Sequence, residues 1–450
     1  MSHRDAVLQT DLYQLTMAAG YFHGGLAHTR ATCEMFVRRL PRARRYLVAA
    51  GVEQAIDGIL SMRFDEADIA WLSELPALKD AMNEGFADYL RDYRFRGAIW
   101  AVPEGTTVFA GTPLLRVEAD IIEAQLIETY LLSVVNHATM IASKAARIVR
   151  AAQGRDVLEF GTRRTHPDAA VDVARAAYLV GAVGTSNVAA GRRDGIPVVG
   201  TAAHMWTMTH DSERAAFESY VATFPTASVL LIDTYDTVEG AALAAEVAGE
   251  RLRGVRLDSG DLLTLSREVR RVLDDAGLIE ARIVASGDLE EHKIAALLAA
   301  GAPIDVFGVG TELAVSKDAP ALGGVYKVVA WERDGRRVPI MKLSEGKATY
   351  PGAHQVFRRH EDGMLVEDRL GLASEPVPDG FEALLVPRVA AGARLDQAAS
   401  LEAARAHALA ELARLPDAFH ALEPLAAPLL PLVLTPALEA LVAEVRASHE

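Results

Sequence analysis

The feature that most constrains this chain is a recurring form that begins near residue 155. Seven short apolar runs follow one another: VLEFG (157–161), AVGTSN (182–187), IPVVGTAAH (196–204), VLLIDTYD (229–236), VRLDSGD (255–261), RIVASGD (282–288) and IDVFGVG (304–310). Each starts apolar and turns to Gly, Thr, Ser, Asp or His at its end. Most are separated by an Ala-rich amphipathic stretch of helical length, the interval between the second and third being the shortest. Strand and helix in alternation make a parallel sheet. With GGVYKVVAW (323–331) as a further strand, the pattern predicts a (β/α) barrel over about 137–330. An open doubly wound sheet would give the same alternation, but no GxGxxG fingerprint opens the first unit. In barrels the strand C-terminal ends carry the chemistry, and the polar residues gather there.

The flanks read differently. GAIWAVPEGTTVFAGTPLLRVEAD (97–120) and the chain after 335 (RRVPIMKLSEGKATYPGAHQVFRR, MLVEDRLGL, FEALLVPRVA) are short β-rich runs broken by turn residues. Helices are expected at about 5–22, 52–61, 66–75, 80–92, 397–415 and 436–447, and one bent helix or two consecutive ones over 121–154. The expected fold class is therefore α/β: an irregular barrel of parallel strands plus a second, β-rich α+β domain built from both chain ends, 1–136 and 331–450. The 450 residues carry 46 basic and 61 acidic side chains, a net charge of −15. That balance argues against a nucleic-acid or anionic-membrane binder. No run approaches the roughly 20 apolar residues of a membrane helix, and AAPLLPLVL (426–434) is short and proline-broken. The opening residues have no apolar core of secretory length. A single cysteine, Cys33, excludes an internal disulfide and a Cys-based zinc site. A cytoplasmic protein is the expectation.

Each strand end offers specific chemistry. EFGTRRTHPD (159–168) places Arg163 and Arg164 just past a strand, where a guanidinium suits a carboxylate or phosphate, or a loop salt bridge. GTSN offers Ser186 as a ligand donor or a helix cap. His204 ends GTAAH, a candidate base, nucleophile or ligand if it is not structural. Asp233 and Asp236, in DTYD, could orient His204, bind Mg2+ through water, or cap a helix. VRLDSGD sets Arg256, Asp258 and Asp261 around the Ser259–Gly260 turn. ASGD adds Gly287 and Asp288, and FGVGT adds Gly308, Gly310 and Thr311. Three successive Gly-rich turns, two with Asp, suit a phosphorylated sugar, because backbone N–H groups at such turns bind phosphate. Lys327 is the one lysine at a candidate strand end and keeps a Schiff-base lyase or aldolase open. No HxH or HExxH pair points to a tight zinc site.

The ordered blocks TDLYQLTM (10–17), EFGTRR, GTSN, GIPVVGTAAH, LIDTYD, LDSGD, SGD, FGVGT and GGVYK resemble the nicotinate phosphoribosyltransferase family. KLSEGKATYPGAHQVFRR (342–359) resembles the family's β-segment after the barrel, and the resemblance runs from residue 10 to about 390. It implies a type II phosphoribosyltransferase that joins nicotinate to phosphoribosyl pyrophosphate, with Mg2+ on the pyrophosphate and ATP hydrolysis coupled through a phosphohistidine. It further implies a homodimer with sites at the subunit boundary. On this resemblance His204 is phosphorylated and Asp233 orients it. Arg256 and Asp258 hold phosphate and ribose, and Ser259, Gly260, Gly287, Asp288, Gly308, Gly310 and Thr311 line the phosphoribosyl pocket. Phe160 stacks on the pyridine, Arg163 holds its carboxylate, and Tyr13 reaches in from the partner. Asp236 or Asp261 is the candidate Mg2+ contact. Met205 departs from the family's usual serine after the histidine. Nicotinamide-specific relatives carry Asp where Ser186 stands. A nicotinamide or quinolinate enzyme, and a sugar-phosphate lyase using Lys327, are the alternatives.

Overall fold

The computed structural model describes residues 3–448 other than 43, 345–348 and 424–427. Parts of the segments at 342–359 and 426–434 therefore lie outside the described residues. The chain divides into a unit of residues 141–320 and a unit of residues 1–140 and 321–450.

The 141–320 unit holds six parallel strands: β1 (Asp156–Glu159), β2 (Gly184–Thr185), β3 (Ser228–Leu231), β4 (Leu252–Leu257), β5 (Arg282–Ala285) and β6 (Val306–Val309). Their order is β2-β1-β6-β5-β4-β3. The first strand pairs with the last, Asp156 beside Val306 through Glu159 beside Val309. That is the cyclic order of a barrel, opened between β2 and β3, and it differs from a sheet wound outward in two halves. The sheet is thus a curled, incomplete barrel.

The run at 196–204 is not a full strand. Pro197 lacks an N–H, and the segment joins the sheet through one bridge, Thr185 with Val198. Thr185 N–H donates to the Pro197 carbonyl at 3.0 Å, and Val199 N–H to the Thr185 carbonyl at 2.9 Å. Amphipathic helices link the strands. In Leu262–Asp275 the buried residues Leu262, Ser266, Val269 and Leu273 recur at helical spacing, so one face seals the sheet. Under the mouth, Leu158, Val284 and Val306 form a core cluster against which Phe160, Val183 and Val229 pack.

In the other unit both chain ends contribute strands. One sheet runs Arg336–Pro339, Gly324–Arg333, Arg30–Val37, Pro113–Asp120, Ala98–Ala101, Val386–Ala390 and Ala393–Arg394. A second contains Phe381–Ala383, His354–Glu361, Met364–Leu372 and Val433–Leu434. This corrects one expectation. GGVYKVVAW is no barrel strand: it pairs antiparallel with Arg30–Val37, with Lys327 opposite Glu34. An apolar run reads alike in either sheet, and only its pairing partner distinguishes the two. The 121–154 stretch resolves as two helices, Ile121–Leu126 and Glu128–Ala151. No helix among the described residues is long and apolar enough to cross a membrane.

Candidate active site

The loops after β1, β2, β4, β5 and β6, with the segment before His204, line a cavity of about 490 Å³. That is the size range of small-molecule sites. Phe160, Arg163, Ser186, Arg256, Asp258, Gly287, Asp288, Gly308, Gly310 and Thr311 all face it. One side is aromatic and cationic, with Phe160 and the exposed Arg163 and Arg164. The other is made of hydroxyls, glycines and carboxylates.

Arg256 is the best-held group. Its Nε donates to Ser286 Oγ at 2.8 Å, Nη1 to Thr201 Oγ1 at 2.9 Å and Nη2 to Asp258 Oδ1 at 2.7 Å. The guanidinium also lies 5.8 Å from the Phe160 ring centroid, so it links the two sides. Burial works to raise the Asp258 pKa, but the Ser286 hydroxyl, Arg256 and then His204 hold it below the usual carboxylate range. An anionic carboxylate is therefore maintained at the mouth.

Two glycines have steric explanations. Gly287 has φ +95°, and a Cβ there would sit 2.1 Å from the Asp258 carbonyl oxygen. A Cβ on Gly308 would lie 2.6 Å from the Phe160 ring. Gly308 thus makes room for the aromatic floor as well as bordering the cavity.

His204 opens the helix His204–Met208, its side chain 39% exposed. Its Nδ1 is 3.2 Å from the Thr234 hydroxyl. Its Nε2 faces two carboxylate oxygens, Asp258 Oδ2 at 3.9 Å and Asp233 Oδ1 at 4.0 Å. Asp233 thus faces His204 at ion-pair distance, while the hydroxyl of Thr234 is the imidazole's hydrogen-bonding neighbour. Asp233 Oδ2 instead accepts from Asp258 N–H at 2.8 Å and Ser259 Oγ at 2.7 Å, which pins the LDSGD turn. Its Oδ1 is buried without a hydrogen-bond partner.

The two metal candidates also serve their own helices. Asp236 caps Thr237–Ala248, accepting from Val238 and Glu239 N–H, and Asp261 caps Leu262–Asp275, accepting from Leu263 N–H and Thr264 Oγ1. Both are helix caps. Among the described carboxylates of the cavity lining, Asp258 Oδ2 and both oxygens of Asp288 accept no hydrogen bond, and Asp233 Oδ1 lies buried behind them without one. Among the described residues, the one trio able to share an ion is Glu290, Glu291 and His292. Glu290 there caps its own helix and Glu291 is held by Lys144.

Family models for the nicotinate phosphoribosyltransferase N-terminal domain and for the nicotinate phosphoribosyltransferase family match residues 8–136 and 156–345. The chain belongs to the nicotinate phosphoribosyltransferase family. Among relatives, nicotinate phosphoribosyltransferase pncB2 of Mycobacterium tuberculosis is 47% identical over 423 residues, 92% of this chain and 89% of that protein. The nicotinate phosphoribosyltransferase of Bacillus subtilis is 44% identical over 387 residues, covering 83% and 77%. The crystal structure of human nicotinic acid phosphoribosyltransferase matches with a TM-score of 0.85 and 31% identity, over 97% of this chain and 99% of that one.

Several residues of this family member stand apart from the cavity lining. Ser259 and Gly260 form the turn behind Asp258 rather than its surface. Tyr13 lies in the 1–140, 321–450 unit, 48% exposed at the start of helix Leu12–His23 beside exposed Leu12. Lys327 lies in that unit too, its Nζ donating to the Tyr326 carbonyl at 2.6 Å. Ser186 lines the cavity but caps nothing: Asn187 is the N-cap of Val188–Asp194, accepting from Ala190 N–H at 2.9 Å. Sequence reasoning missed Thr201, Thr234 and Ser286 as site residues. A hydroxyl beside a candidate Arg or His at a strand end was the available signal.

Proposed function

We propose that the protein joins nicotinate to phosphoribosyl pyrophosphate, giving nicotinate mononucleotide and pyrophosphate in NAD salvage. ATP hydrolysis is coupled through phosphorylation of His204. The observation that carries this reading is the single cavity that sets Phe160, Arg163 and Ser186 against Arg256, Asp258, Gly287 and Asp288. The pyridine stacks on Phe160 with its carboxylate toward Arg163 and the Ser186 hydroxyl. The ring nitrogen forms its bond to the ribose anomeric carbon as the bond to pyrophosphate breaks, and the pyrophosphate leaves with the electron pair. Positive charge develops on the ribose, where ionised Asp258 stabilises it. Arg256 and the glycine turns receive the phosphate. Mg2+ bound on the pyrophosphate would neutralise charge on the leaving group, and Asp258 and Asp288 are carboxylates of the lining that could hold it directly or through water.

The acid is favoured over the amide because Ser186 can donate to a carboxylate, where an Asp would repel it. The reading extends to a cytoplasmic homodimer in which Tyr13 of one copy completes the pocket of the other. Exposed Leu12, Tyr13 and Met17 on one short helix support that arrangement. Tyr13 and His204 variants, each lacking ATP-coupled synthesis, should regain it when mixed and allowed to exchange subunits; no recovery after proven exchange defeats the shared site. Incubation with phosphoribosyl pyrophosphate, Mg2+ and nicotinate, nicotinamide or quinolinate in turn should yield a mononucleotide and pyrophosphate with nicotinate. Turnover of another acid or amide instead overturns the reading.

A further inference from the structure

Glu159 ends β1 with no exposed surface, and no basic side chain pairs with it among the described residues. Its carboxylate does one distinctive thing: it bridges two loops. Oε1 accepts from the Gly161 N–H, at the entry to the short helical turn Thr162–Arg164. Oε2 accepts from the Thr185 hydroxyl at 2.6 Å, directly before Ser186. Thr185 Oγ1 in turn accepts from the Asn187 N–H at 3.0 Å, so Ser186 sits between two tethered residues. The Ser186 N–H also donates to the Glu159 carbonyl at 3.0 Å. One buried side chain thus ties together the turn bearing Arg163 and the turn bearing Ser186.

We infer that Glu159 is the positioning residue of the acid-recognition site, fixing the turn that carries Arg163 against the turn that carries Ser186. This rests on the proposed nicotinate reading and adds a residue to it.

The chemistry explains why the group is a carboxylate. A backbone N–H and a hydroxyl already engaged as an acceptor both approach as donors. An ionised carboxylate offers each of them its own acceptor oxygen. An amide accepts with one oxygen and turns N–H groups toward Thr185, whose proton must then find another acceptor. A purely structural design would not choose this group. Burial pushes the Glu159 pKa up, the Thr185 hydroxyl and Gly161 N–H oppose that, and no cation compensates. A buried charge held by neutral donors alone weighs against stability, which is the pattern of a group kept for function.

The test uses Glu159→Gln. The expected result is a nicotinate KM raised about tenfold, the scale of one lost hydrogen bond to a charged group. The phosphoribosyl pyrophosphate KM should stay within about twofold, and Tm should hold or rise, since a buried charge is gone. An unmoved nicotinate KM, or both KM values rising together, overturns the inference. If Glu159→Gln does not fold, the other end of the bridge serves. Thr185→Val should raise the nicotinate KM and Thr185→Ser restore it; equal KM values in the two variants overturn the inference. Wild-type protein that fails to turn over nicotinate defeats the functional reading itself. An active wild type with indifferent variants defeats only the role of Glu159.

Discussion

Two groups of side chains in the 141–320 unit each set basic residues against carboxylates and end in opposite conditions. In one, Lys144 Nζ lies 2.6 Å from Glu291 Oε2 and 3.0 Å from Asp318 Oδ1, and Arg147 Nε donates to Glu291 Oε1 at 3.0 Å. Burial alone would raise the Glu291 pKa, but Lys144 and then Arg147 hold it below the usual carboxylate range. In the other, Arg256, Asp258, Asp233 and His204 leave a buried oxygen of Asp233 unanswered and a partly exposed imidazole. In the first cluster a cation lies 2.6 Å from the buried carboxylate oxygen; in the second, Asp233 Oδ1 faces the His204 imidazole at 4.0 Å. Charge and burial are common to both. What separates a site from a strut is unused hydrogen-bonding capacity facing a cavity.

The comparison can be broken in order of expected effect. His204→Ala should abolish acid-labile labelling from γ-labelled ATP while sparing some uncoupled synthesis, and undiminished label would remove His204 from the site. Lys144→Met takes the nearest cation from the buried Glu291 carboxylate and should lower stability by about 3–5 kcal/mol in urea melts. Asp258→Asn should act on rate instead. A fall in kcat on the order of 100-fold is expected, with a melt shifted by no more than about 1 kcal/mol. Melts that fall equally in the Lys144 and Asp258 variants would erase the distinction. Ser186→Asp should cut the nicotinate-to-nicotinamide ratio of kcat/KM about tenfold, since like charges would face each other. Because Asn187 does the capping, an unchanged ratio would mean that Ser186 does not meet the substrate.

The smallest effect is in pH. The folded-state pKa of Asp258 is depressed, so its contribution to stability is fully present above the unfolded value near 4 and is lost as pH falls through the lower folded value. Glu291 is shifted in the same direction and shares that acid limb. The stability difference between wild type and Asp258→Asn should therefore shrink steadily between about pH 5 and pH 3. A difference that stays constant would mean that the Asp258 charge does not contribute to the fold.

Strand ends were readable because a parallel strand that starts in the core and stops at a mouth must change composition there. That rule drew attention to Arg163, Arg256, Asp258 and Gly287, which border one cavity; Phe160 came only with the family resemblance. The rule could not separate Asp258 from Asp261, three residues on, where the helix takes the carboxylate as its cap. Nor could it tell Ser186 from Asn187 as the cap. GGVYKVVAW misled because local apolarity carries no record of the strand it will pair with, here one almost three hundred residues earlier. Glu159 was passed over because a Glu inside an apolar strand is silent until its two donors are seen.

The seam between β2 and β3 has a consequence for time rather than shape. Residues 197–200 are exposed and the segment is held by two main-chain hydrogen bonds, whereas β4 is laddered on both sides. In deuterated solvent the amides of 196–203 should exchange early and those of Val255 and Leu257 late, because local opening follows the weakest ladder. His204 and Thr201 therefore ride on a fast clock, and Arg256 and Asp258 on a slow one. A cavity with one wall in each regime can admit and release ligands at the seam while the phosphate side keeps its register.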